Sequence, residues 1–89
     1  MMTSDDNYRL EKVLTHVKTS FQKCFKNDAI HIDTDFFELG GDSLQAQKIC
    51  LLLEQRFNIV IHPSLIFEYS CPRTLAEYLI YKIFPTKFL

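Results

Sequence analysis

The chain has 89 residues, a formal net charge of -1, 47% hydrophobic residues and 24% charged residues. That balance suits one small folded domain with a modest core and gives no electrostatic case for binding nucleic acid. No apolar run is long enough to span a membrane, so neither a nucleic acid nor a membrane is expected as a partner.

Met1-Met2-Thr3-Ser4-Asp5-Asp6 lacks a basic region followed by an apolar block, so it does not read as a signal peptide. The first predicted helix runs from about Asp5 to Lys26. Leu10, Val13, Leu14, Val17, Phe21, Cys24 and Phe25 recur at helical spacing and define its apolar face. Asp5 and Asp6 suit the first turn, and Lys23 and Lys26 the last. Asn27-Asp28 then stops the helix.

A long connection follows to Asp42. Loops of this length in compact domains carry function or their own packing. Ile30, Ile32, Phe36, Phe37 and Leu39 are expected to pin it to the core. The Phe36-Phe37 pair is assigned to that anchoring rather than to a binding platform.

The connection ends in Leu39-Gly40-Gly41-Asp42-Ser43-Leu44, and both glycines of the chain lie here. Glycine takes positive φ freely and permits close approach to the backbone. Asp42 is a good N-cap, and Gln45 three residues on completes a capping-box pattern. Ser43 then becomes the first residue of the second helix, beside backbone N–H groups that favour an anion.

That second helix is expected over Ser43 to Phe57. Ala46, Ile49, Cys50, Leu53 and Phe57 fall on its core face. Leu44, Lys48, Leu51 and Gln55 fall on the opposite face, which leaves two leucines aligned below Ser43 as candidates for a docking surface. An extended connector, Asn58 to Ile61, leads to Pro63, which can open a short third helix over Ser64 to Tyr69. Leu65 and Phe67 are its core candidates, and Ile66 is assigned to the docking surface with Leu44, Lys48 and Leu51. A last helix, about Arg73 to Phe84, carries Leu75, Leu79 and Ile83 inward with help from Tyr78. Pro85 ends it, and Thr86 to Leu89 form a tail. The chain therefore reads as all-α, one domain over 1–89 with a core from about 8 to 84.

Cys24, Cys50 and Cys71 form an odd set without C-x-x-C spacing. They read as free, mostly buried thiols in a reducing cytoplasm, and no metal site is expected.

The segment Asp35-Phe36-Phe37-Glu38-Leu39-Gly40-Gly41-Asp42-Ser43-Leu44, followed in order by Phe57, Pro63, Phe67 and Pro72-Arg73-Thr74-Leu75, resembles the acyl and peptidyl carrier protein family. The resemblance covers about Leu10 to Tyr81. It implies a four-helix carrier bundle with a long loop between helices one and two and a short helix three. It also implies a 4'-phosphopantetheine arm on Ser43, delivered from coenzyme A by a phosphopantetheinyl transferase with magnesium at the transferase site. The arm's thiol would hold an acyl or aminoacyl thioester. The carrier itself would be non-catalytic. Its partners would be a loading adenylation or acyltransferase enzyme, then condensation, ketosynthase, reductase or thioesterase enzymes.

The paired aromatics and glycines, with the charge-balanced second helix, are most similar to peptidyl carrier domains of nonribosomal peptide synthetases. Asp42 stands where many of those have histidine, as is common in acyl, aryl, polyketide and reductase-system carriers. The subtype, the cargo and the choice between a freestanding carrier and a domain of a megasynthase stay open. Two other readings stand beside this one. In the first, the chain is a small helical interaction domain in which Ser43 is only a helix-start residue. In the second, Ser43 is a nucleophile, which would need a base such as His31 or His62 beside it.

Overall fold

The computed structural model describes residues 4–84, with the side chain of Ser4 left aside. Four helices occur among them: α1, Ser4–Phe25; α2, Ser43–Phe57; α3, Ser64–Glu68; and α4, Pro72–Ile83. No strand occurs among the described residues, and the all-α expectation holds. The expected tail, Thr86 to Leu89, and the Pro85 stop lie outside the described residues.

α1 packs along both α2 and α4, and α3 sits against α2. Val13, Val17 and Phe21 give α1 its buried face, while Leu10, Leu14, Cys24 and Phe25 are only partly covered. The helix ends in a left-handed residue, Lys26 at φ 52, and the Asn27 N–H returns 3.1 Å to the Gln22 carbonyl. This is the Schellman arrangement, which satisfies carbonyls the helix leaves open.

The long connection is held by hydrogen bonds as well as by apolar anchors. Gln22 Nε2 donates to the Ile30 carbonyl at 2.9 Å and the Ala29 N–H to Asn27 Oδ1 at 2.9 Å. Further along, the loop pairs with the α3–α4 junction. The Arg73 N–H donates to the Ile32 carbonyl at 2.9 Å, and the Phe36 N–H to the Ser70 carbonyl at 2.6 Å. Arg73 also grips both carboxylate oxygens of Asp33, at 2.7 and 3.0 Å.

Phe36 is fully buried and meets Phe21, Phe25, Phe37 and Phe67 edge to face. Edge-to-face packing suits the aromatic quadrupole. Phe37 departs from expectation. It is 52% exposed and stacks on Phe67 at 5.8 Å, so only one of the two aromatics anchors the loop.

α2 buries Ala46, Ile49, Cys50 and Leu53, and Phe57 packs at the edge of the core. Asn58 ends it in the left-handed region, a conformation asparagine tolerates better than most residues. The connector contributes a core residue not foreseen from sequence, Ile61, whose N–H donates to Glu54 Oε2 at 2.8 Å.

The third helix corrects two expectations. Ile66 is fully buried, so it presents no docking surface, and Phe67, assigned to the core, is 38% exposed. With five residues, α3 is too short for periodicity to choose its inward face. The choice is made by how α3 lies on α2, which turns residue 66 inward and leaves 65 and 67 at the flanks.

In α4, Pro72 occupies the first turn, where its missing N–H costs nothing. Leu75 and Leu79 are buried as expected, joined by Pro72, Ala76 and Ile80. Tyr78 is half-buried and stacks on Tyr69 at 4.8 Å.

Candidate functional site

The geometry around Ser43 begins with Phe36. A Cβ on Gly41 would drive into the buried Phe36 ring, far inside van der Waals contact. Glycine at 41 is therefore demanded by space. Gly40, at φ +76, is demanded by backbone conformation, and a Cβ there would meet nothing. The expectation of positive φ holds at Gly40, whereas Gly41 serves through its missing side chain.

This fixed turn delivers Asp42 in extended conformation, φ -129, to the N-cap of α2. Its Oδ1 accepts from the Gln45 N–H at 3.1 Å, and Gln45 Oε1 accepts from the Asp42 N–H at 3.0 Å. The capping box is complete. Ser43 is the first helical residue and is exposed. The N–H groups of Ser43 and Leu44 are among those an α-helix leaves without an intrahelical partner. An anionic ester on Ser43 would meet them and the positive end of the helix dipole. The site thus fits a phosphodiester-linked group: Ser43 is exposed and the donor-rich end of α2 lies beside it. The Asp42 charge opposes that field, but its carboxylate is engaged with the Gln45 N–H.

Leu44 is 60% and Leu51 56% exposed, and Lys48 between them is exposed too. These three share one face below Ser43, and Ile66 does not join them. The histidines are engaged elsewhere. His31 Nδ1 accepts from the Asp33 N–H, His62 pairs with Ser64, and His16 meets Arg56. Each of these contacts is to a residue other than Ser43.

Charge and burial tune the surroundings. Ser70 Oγ donates to Asp35 at 2.5 Å, and this bond, then the Glu38 and Phe37 N–H groups, hold the Asp35 carboxyl below its usual range. The hydrogen-bonded Arg73 guanidinium does the same for Asp33. Burial raises the Cys24 thiol, and burial together with Glu54 pushes Cys50 up to about 11. Both are poor nucleophiles at neutral pH. The three thiols are free, but only Cys50 is fully buried.

A phosphopantetheine attachment site family model matches residues 12–79. The chain belongs to that family. It is a carrier domain, and the group it bears is a covalently attached 4'-phosphopantetheine. Malformin synthetase mlfA of Aspergillus homomorphus (strain CBS 101889) is 41% identical over 49 residues, 55% of this chain and 1% of the synthetase. Polyketide synthase PksN of Bacillus subtilis (strain 168) is 27% identical over 75 residues, 84% of this chain and 1% of the synthase. The carrier thus spans about 1% of the length of either relative. Its fold is similar to that of BlmI, a type-II acyl-carrier protein from Streptomyces verticillus involved in bleomycin biosynthesis. The TM-score is 0.84 at 16% identity, covering 89% of this chain and 95% of that one.

Sequence reasoning missed two features beside the motif. One is the Phe37–Phe67 stack, since sequence alone assigns both aromatics inward. The other is the end of α1, where Lys23, Cys24 and Lys26 lie against Lys48, Leu51, Leu52 and Gln55 of α2. The lysines at the end of the helix were visible, but which helix they would face was not.

Proposed function

We propose that Ser43 is the attachment residue and that the face of α2 below it presents the loaded arm to partner enzymes. The observation that carries this reading is the placement of Ser43: exposed, first in α2, and fixed by a complete capping box. When bound, the arm supplies a terminal thiol that holds an acyl or aminoacyl group as a thioester.

In the loading of the arm, the Ser43 hydroxyl attacks the pantetheine-side phosphorus of coenzyme A in a transferase active site. The pyrophosphate bond breaks, adenosine bisphosphate leaves, and the serine proton passes to a base of the transferase. This chain contributes position. Asp42 and Gln45 hold the first turn, Gly41 seats that turn on Phe36, Gly40 leaves open space for the transferase, and Ser43 is exposed. Leu44, Lys48 and Leu51 are proposed contacts for the transferase, for the loading enzyme and for downstream condensation, ketosynthase, reductase or thioesterase enzymes. Such contacts must form and part quickly, which modest interfaces allow. Tethering raises the effective concentration of cargo at each active site.

No helix among the described residues is long and apolar enough to cross a membrane. A cytoplasmic setting, where coenzyme A and the transferase are at hand, belongs to the same proposal. Intact mass before and after incubation with a broad-specificity phosphopantetheinyl transferase, magnesium and coenzyme A tests it. One added phosphopantetheinyl group is expected. A folded, initially unmodified chain that gains none would return the Ser43 motif to a helix start alone.

A further inference from the structure

The outward face of α2 has a neighbour. Burial of Ile66 removes the side chain by which α3 was expected to extend that face, while the end of α1 borders it on the other flank. Cys24 Sγ donates to the Gln45 carbonyl at 3.5 Å, tying the end of α1 to the first turns of α2. Between the two helices lies an open groove of about 420 Å³ whose charged lining residues are Lys23, Lys26 and Lys48. Leu51 and Leu52 supply its apolar surface.

All three charges are positive in a chain whose net charge is -1. The ion pairs found among the described residues, Arg9–Asp6 and Arg73–Asp33, do not involve these lysines. Asp42 acts on the Cys24 thiol from the Ser43 end, but its carboxylate is held by the Gln45 N–H. Lys26 adds an independent sign. It sits at φ 52, where glycine or asparagine is the better residue, so the backbone does not call for lysine there.

We propose that this groove docks an acidic, amphipathic segment of a partner protein. An apolar side chain rests on Leu51 and Leu52, and carboxylates meet Lys23, Lys26 and Lys48. The inference rests on the carrier reading and names the chemistry of the partner that reads the α2 face. α2 alone carries only Lys48 and Arg56 against Glu54, which by itself gives weak salt dependence. With the end of α1 included, association becomes salt-sensitive.

The probe is a designed helical peptide with leucines at three- and four-residue spacing flanked by glutamates, paired with a sibling carrying lysine at each glutamate. Each is titrated into the isotope-labelled full chain and followed by amide shifts. The acidic peptide is expected to move Lys23, Cys24, Lys26, Lys48, Leu51 and Leu52, and to bind several-fold more weakly as salt rises. The sibling is expected to leave them still. The double variant Lys23→Glu, Lys26→Gly should weaken the acidic peptide roughly tenfold. Lys12→Glu, in a different groove with Tyr8, Glu11, Thr15 and His16, should not weaken it. Lys26→Gly relieves the left-handed residue, so a retained melting temperature excludes unfolding as the cause.

Equal binding of the two peptides, shifts confined to another face, or no binding by the acidic one would overturn the proposal. So would closure of the groove by a second copy of the chain in sedimentation. Every protein is also given to the transferase. Modification of the parent without selective peptide binding removes the groove and leaves the carrier function standing, whereas selective binding by a parent that is never modified removes the carrier function alone.

Discussion

Gly41 and Phe36 act as one unit, because the ring occupies the space that any side chain at 41 would need. Gly41→Ala is expected to cost about 1–3 kcal/mol, the usual range for overpacking a filled core. Gly40→Ala, at φ +76 with open space around it, is destabilised by backbone strain instead, about 1–2 kcal/mol. The two mechanisms separate in a double-mutant cycle with Phe36→Leu. Coupling is expected for Gly41→Ala and near-zero coupling for Gly40→Ala, read by urea unfolding. Asp42 carries the next link. Asp42→Ala removes the cap and should lower stability by about 1 kcal/mol, whereas Asp42→Asn keeps an acceptor for the Gln45 N–H and should be nearly neutral. An asparagine that destabilised as much as alanine would show that the charge, rather than the cap, supports the turn.

The connection between α1 and α2 behaves as an element although it contains no helix. Asp35 draws together Phe37, Glu38 and Ser70, and Asp33 holds Arg73. Both carboxyls are depressed in the folded chain, so their contribution is present above the ordinary carboxylate pKa of about 4. It is lost as pH falls through the lower native values. Hydrogen exchange should therefore show the amides of Phe36, Phe37 and Glu38 losing protection in acid before those of Leu53 and Leu79, with Asp35→Asn blunting the dependence. Uniform loss across all five amides would mean that the loop does not open separately from the bundle. The helices offer a sharper contrast. Leu51→Asp adds a charge to a side chain 56% exposed and should unfold nothing, while Ile66→Asp places one at a fully buried position and should abolish the cooperative melt. An unfolded Leu51→Asp would reverse the assigned faces of α2.

Across the molecule, what could be read from sequence follows element length. The 22 residues of α1 and 15 of α2 give several turns of periodicity, and Val13, Val17, Phe21, Ala46, Ile49, Cys50 and Leu53 point inward as their spacing requires. The capping box is likewise local chemistry, legible in Asp42 and Gln45 alone. Ile66 and Phe67 were not legible, because one turn of helix has no periodicity to weigh against tertiary contact. Phe37 failed for a related reason: beside a buried Phe36, only the turn made by Asp35 decides which ring faces solvent. The Arg73–Asp33 bridge and the lysine groove join residues distant in sequence, and no local pattern pairs them. Ser43 itself sits where the most local signals agree, which is why the motif carries the functional reading. The attachment residue is read by peptide fragmentation of the transferase-treated chain. The phosphopantetheinyl group is expected on Ser43 alone, with Ser43→Ala folded and unmodified. The group on Ser20, Ser64 or Ser70, or a modified Ser43→Ala, would mean that Ser43 is not the attachment residue.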